Sequence, residues 1–152
     1  MLRDDINNAL KDAMKAGDAR RVSTLRLVNA SLKNADIEAR GQGKPALADE
    51  DVLGVLQKMI KQRHESAELY EKGGRADLVA QEREEIAIIE KYLPRQMTDH
   101  EIHETIVALV TETGASAMKD MGRVMAALKE RYTGKLDFGK ASGAVKRILS
   151  GG

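Results

Sequence analysis

The chain has 152 residues, with 25 Lys and Arg against 24 Asp and Glu. That length suits one domain or two small helical units, and the charge balance excludes a uniformly basic nucleic-acid coat or an acidic tail. Cysteine is absent and only Tyr70, Tyr92, Tyr132 and Phe138 are aromatic, which excludes disulfides, Cys-ligated zinc, iron–sulfur clusters and thiol catalysis, leaves few stacking platforms for nucleic acid, and makes the core aliphatic and methionine-based.

The hydrophobic period is helical almost throughout, and the spacing predicts seven helices. The first runs from Leu2 to about Lys15, with Leu2, Ile6, Ala9, Leu10, Ala13 and Met14 on one stripe. Gly17 suits its end and Asp18 the cap of the next. The second spans about Ala19 to Arg40, turning Val22, Leu25, Val28 and Leu32 inward, and Gly41 to Pro45 form a loop. The third starts at Asp49-Glu50-Asp51, acids at the positive end of the helix dipole, carries Val52, Val55, Leu56, Met59 and Ile60, and reaches Tyr70. The fourth, about Ala76 to Tyr92, has Leu78, Val79, Ile86, Ile89 and Leu93 as its apolar side, with Glu82, Arg83, Glu84, Glu85 and Glu90 expected in solvent.

Pro94 marks a boundary, because it lacks a backbone donor and disfavours helix at Leu93. This predicts an N-terminal bundle over 1–93 and a small three-helix unit over 94–152. Thr98-Asp99-His100-Glu101 reads as a capping box opening the fifth helix, to about Thr111. The sixth is expected from about Ala117 to Arg131, and the seventh from an Asp137 cap to Leu149. With no lasting strand alternation, the fold class is all-α. No apolar run is long enough to span a bilayer, and the acidic start at Asp4-Asp5 does not resemble a signal peptide. The expectation is a soluble protein kept in the cytosol, with no membrane partner.

Few constellations suggest chemistry. His64-Glu65-Ser66-Ala67-Glu68 starts like a zincin helix but has Glu68 where the second His is needed. His100 and His103, with Glu104, fall short of three clear ligands, and Glu101 already serves the cap. The mixed charges of the fourth helix read as a solvated face. No phosphate-cradling glycine loop and no nucleophile elbow occurs, so no catalytic residue, metal or cofactor is expected. Met121 and Met125 read as core filling.

The strongest electrostatic signal lies in residues 118–149, which hold 8 basic and 3 acidic side chains. Met121, Val124, Met125, Leu128 and Tyr132 take the inward face of the sixth helix, leaving Lys119 and Arg123 outside. In the seventh, Phe138, Ala141, Ala144, Val145, Ile148 and Leu149 face inward, leaving Lys140, Lys146 and Arg147 outside with Gly143 among them. A glycine amid cations lets a phosphate backbone approach closely. Lys135 and Arg131, in the turn between these helices, add positive charge.

The stretches Ala13-Met14-Lys15-Ala16-Gly17-Asp18, Ser23-Thr24-Leu25-Arg26-Leu27, Lys61-Gln62-Arg63-His64-Glu65-Ser66, Gly74-Arg75-Ala76-Asp77-Leu78, Glu90-Lys91-Tyr92-Leu93-Pro94-Arg95-Gln96-Met97 and Lys119-Asp120-Met121-Gly122-Arg123-Val124-Met125 lie in this order along the chain. Together they resemble the GatB/YqeY family. Members resemble the tail of the B subunit of the glutamine-dependent aminoacyl-tRNA amidotransferase, and appended domains of some glutaminyl-tRNA synthetases. The resemblance implies a helical bundle followed by a three-helix unit, and a tRNA-contacting role for Lys119, Arg123, Gly134-Lys135 and Lys146. Gly143 stands where a larger polar residue is usual in relatives, so its part in phosphate approach comes from this sequence alone.

The expected function is a non-catalytic helper that binds tRNA or another structured RNA through phosphate contacts of Lys119, Arg123, Lys135, Lys140, Lys146 and Arg147. One alternative is a carbon–nitrogen ligase of amidotransferase type with glutamine as amide donor. That chemistry needs a Cys or an activated Ser–Lys arrangement and an ATP site, and neither is evident. The other is an adaptor that binds an aminoacyl-tRNA synthetase or an amidotransferase.

Overall fold

The computed structural model describes residues 1–151. The chain is all-α: seven α-helices and one 3-10 turn, with no strand among the described residues. None of these helices is long and apolar enough to cross a membrane. The chain divides into two compact units, Met1–Pro94 and a second beginning at Arg95.

The first unit contains α1 (Leu2–Ala16), α2 (Ala19–Gly41), α3 (Asp49–Lys72) and α4 (Ala76–Glu90). Gly17 closes α1 in the left-handed region at φ 69°, where a side chain would be strained. Asp18 then caps α2 by accepting the Arg21 amide at 3.2 Å. The stripes read from the sequence meet in a core of Ile6, Ala13, Leu25, Val28, Leu32, Val52, Leu56, Met59 and Ile89. Arg3 forks onto Asp36 with two bonds of 2.8 Å and so ties α1 to α2. Met14, expected on the inward stripe, is exposed.

The charged face of α4 is less uniform than expected. Glu85 is only 6% exposed. It sits beside the buried Ile86 and, one turn on, Ile89, and its charge is matched by Arg63 of α3 at 2.9 Å. Arg63 also donates to the Met59 carbonyl at 3.2 Å. A carboxylate leaves solvent there because the opposing helix supplies a guanidinium. Burial, and the charge of Glu85 next, raise the neighbouring Glu82 carboxyl above its ordinary range.

The second unit contains α5 (Asp99–Thr113), a 3-10 turn (Met118–Asp120), α6 (Met121–Tyr132) and α7 (Phe138–Leu149). Its core is Ile102, Ile106, Leu109, Ala115, Val124, Leu128, Leu136, Ala141, Ala144, Val145 and Leu149. The predicted capping box forms: Thr98 Oγ1 accepts the Glu101 amide at 3.1 Å, and Glu101 Oε1 accepts the Thr98 amide at 3.0 Å. The α-helix expected from Ala117 starts four residues later, at Met121. Asp120 folds back to accept the amides of Ser116 (2.9 Å) and Ala117 (3.2 Å), and this holds the intervening chain in the tighter turn.

Candidate nucleic-acid interface

Burial of one face fixes what the other face presents. Val124 and Leu128 set the phase of α6, while Ala141, Ala144, Val145 and Leu149 set that of α7. Lys119, Arg123, Lys135, Lys140, Lys146 and Arg147 consequently all lie in solvent. They form three groups: Lys119 and Arg123 at the start of α6, Lys135 in the turn after it, and the last three along α7.

Two of these cations are drawn into ion pairs. Arg123 Nη2 lies 2.9 Å from Asp120 Oδ1, and Lys140 Nζ lies 3.6 Å from Asp99 Oδ1. Asp120 thus links the Lys119–Arg123 group, and its carboxyl is held below the ordinary range. The Ser116 amide contributes most to that, followed by the Ala117 amide and the charges of Arg123 and Lys119. Gly143 is half-buried, and Arg147 Nη1 comes within 3.7 Å of where a Cβ on it would stand. The guanidinium one turn on thus lies over the bare backbone of Gly143.

Other charges of this region are engaged within the unit. Arg131, expected in the turn, lies in the last turn of α6 and forks onto Glu112 of α5 at 2.9 and 2.7 Å, so this end of the helix carries less free positive charge than the sequence implies. The Lys129 ammonium stands over the Phe138 ring, 6.0 Å from its centroid.

The segment preceding α5, read from the sequence as a boundary and a family motif, also packs against the α6–α7 turn. Gln96 Nε2 donates to the Gly134 carbonyl at 2.6 Å, and the Met97 amide donates to the Lys135 carbonyl at 2.7 Å. This fastens residues 96–97 to the turn that bears Lys135. Arg95 forks onto Glu101 at 3.0 and 2.6 Å, and that bonding, with the Thr98 amide next, lowers the Glu101 carboxyl to about 2. Arg95, Met97, Glu101, Glu104, Thr105, Tyr132 and Lys135 line a cleft of about 540 Å³. The Leu93–Met97 stretch drew notice only as a boundary and a family motif, since its pairing with residues 134–135 spans too many residues for a local pattern to reveal.

The histidines are all exposed: His64 on α3, and His100 and His103 on α5, with His100 Nε2 3.0 Å from Glu104 Oε1. Among the described residues, no three of His, Asp or Glu converge as metal ligands.

A family model described as Yqey-like protein matches residues 3–149. The chain is similar to altered inheritance of mitochondria protein 41, mitochondrial, of Lachancea thermotolerans: 36% identical over 110 residues, covering 71% of this chain and 57% of that protein. The protein of the same name in Vanderwaltozyma polyspora is 33% identical over 119 residues, 74% of this chain and 62% of that protein. That of Pyrenophora tritici-repentis is 31% identical over 127 residues, 80% of this chain and 68% of that protein. The chain thus spans about six-tenths of the length of the first two.

Proposed function

The chain belongs to the Yqey-like protein family, and from that premise we propose that it is a non-catalytic RNA-binding helper, with tRNA as the preferred polyanion. The observation that carries this reading is the excess of 8 basic over 3 acidic side chains in residues 118–149, together with the exposure of all six candidate cations. Such a surface grips phosphates and backbone shape, since bases have little to stack on. Lys119, Arg123, Lys135, Lys140, Lys146 and Arg147 contact phosphates, and Gly143 beside Arg147 admits one closely.

The test is a mobility shift of a tRNA transcript with the full chain at two salt concentrations. Binding at low salt that falls steeply as salt rises is expected; absent or salt-insensitive binding removes the reading. Turnover of glutamine, ATP and mischarged tRNA above a blank would replace it with the carbon–nitrogen ligase alternative.

Cytosolic residence is part of the proposal, whereas the relatives' names describe mitochondrial proteins. Fractionation of cells expressing the tagged chain decides between the compartments.

A further inference from the structure

The cleft in the second unit has the size of a small-ligand site, about 540 Å³. Its lining is chemically divided. Tyr132 and Met97, both half-buried against the core, supply the apolar surface. Lys135 brings positive charge, Arg95 and Glu101 neutralise one another, and Glu104 and Thr105 of α5 bring hydrogen-bonding groups. Lys135 also belongs to the cationic set assigned to phosphates, so a strand held there passes the cleft.

Resting on that RNA-binding reading, we propose that the cleft receives one unpaired guanine of the bound RNA. The two carboxylates differ in availability. Glu101 is engaged on both oxygens, Oε1 by Arg95 and the Thr98 amide and Oε2 by Arg95. Glu104 is exposed, and among the described residues its partner is His100, 3.0 Å from Oε1. It is the carboxylate placed to read a base.

A carboxylate only accepts hydrogen bonds, so it selects the base with adjacent donors. Guanine presents N1–H and the N2 amino group side by side on its Watson–Crick edge. Adenine and cytosine set an acceptor ring nitrogen next to their amino group, and uracil flanks its single N–H with two carbonyls; each of these acceptors repels the carboxylate. The guanine ring lies against Tyr132, one of the four aromatic side chains in the chain, and its phosphate meets Lys135 at the rim. A lone tyrosine suits a single splayed base rather than a stacked run.

The test uses the full chain and labelled hexaribonucleotides of uridine with G, A, C, U or inosine at the fourth position, followed by fluorescence polarisation, alongside a tRNA transcript. G binds about tenfold more tightly than A, a bidentate pair's worth of discrimination, and inosine, lacking the N2 amino group, falls between. Glu104→Gln, a change at an exposed position, removes the G-over-A preference. Tyr132→Phe keeps the preference. If tRNA binds but the oligonucleotides bind alike, or Glu104→Gln still favours G, the guanine site is overturned and the RNA-binding reading stands. If tRNA fails to bind at low salt, both are overturned.

Discussion

Two side chains of the first unit show how single groups set stability. Glu82 has its carboxyl raised above the ordinary 4.5, first by burial and then by Glu85. The folded chain therefore holds that proton more tightly than the unfolded chain, and the ionised form opposes folding once pH rises past the ordinary value. Glu82→Gln is expected to raise stability at pH 7, with the gain vanishing near pH 3.5, where the carboxyl is protonated in both states; urea unfolding at the two pH values checks this. Thr24 is fully buried on α2 with a hydroxyl that has no hydrogen-bond partner among the described residues. Thr24→Val keeps the shape and removes the unmet group, so a gain of about 1 kcal/mol is expected in the same assay.

Pairs of elements carry the larger energies. The Arg63–Glu85 contact joins α3 and α4 with both side chains largely withdrawn from water. Removing one partner leaves a buried charge, so Glu85→Ala is expected to cost about 3 kcal/mol. The double change Arg63→Met with Glu85→Leu should cost clearly less, measured as a double-mutant cycle. In the second unit, Thr98→Ala removes half of the α5 capping box and is expected to cost about 1 kcal/mol by thermal unfolding. The helices themselves were legible because period, glycine ends and caps are local: Gly17, Asp18 and the Thr98–Glu101 box perform as the sequence predicts. What escaped depends on a second element. Glu85 reads as solvated until Arg63 is brought opposite, Arg131 reads as free until Glu112 meets it, and the late start of α6 follows from Asp120 reaching back to amides that belong to no helix. The cleft escaped for the same reason, since residues 95–97 and 132–135 meet only in three dimensions.

For the whole molecule, the charge distribution makes a quantitative demand. If the second unit neutralises about four to six phosphates, the logarithm of tRNA affinity falls with the logarithm of salt with a slope of roughly −3 to −5. Replacing Lys119, Arg123, Lys135, Lys140, Lys146 and Arg147 together by Gln should flatten that slope and abolish binding at moderate salt. Replacing the exposed Lys11, Lys15 and Lys33 of the first unit should leave it intact, because the charges of that unit balance within one, 16 basic against 17 acidic over residues 1–93. Gel shift across a salt series, with circular dichroism to confirm folding, reads both.

The bond from the Met97 amide to the Lys135 carbonyl has a practical corollary. An amide in an irregular stretch normally trades its hydrogen for deuterium almost at once, but this one is shielded by a partner far along the chain. Its exchange clock therefore reports on the α6–α7 turn from across the crevice. Occupancy that stiffens the turn would slow that clock, giving an NMR probe of engagement that needs no mutation.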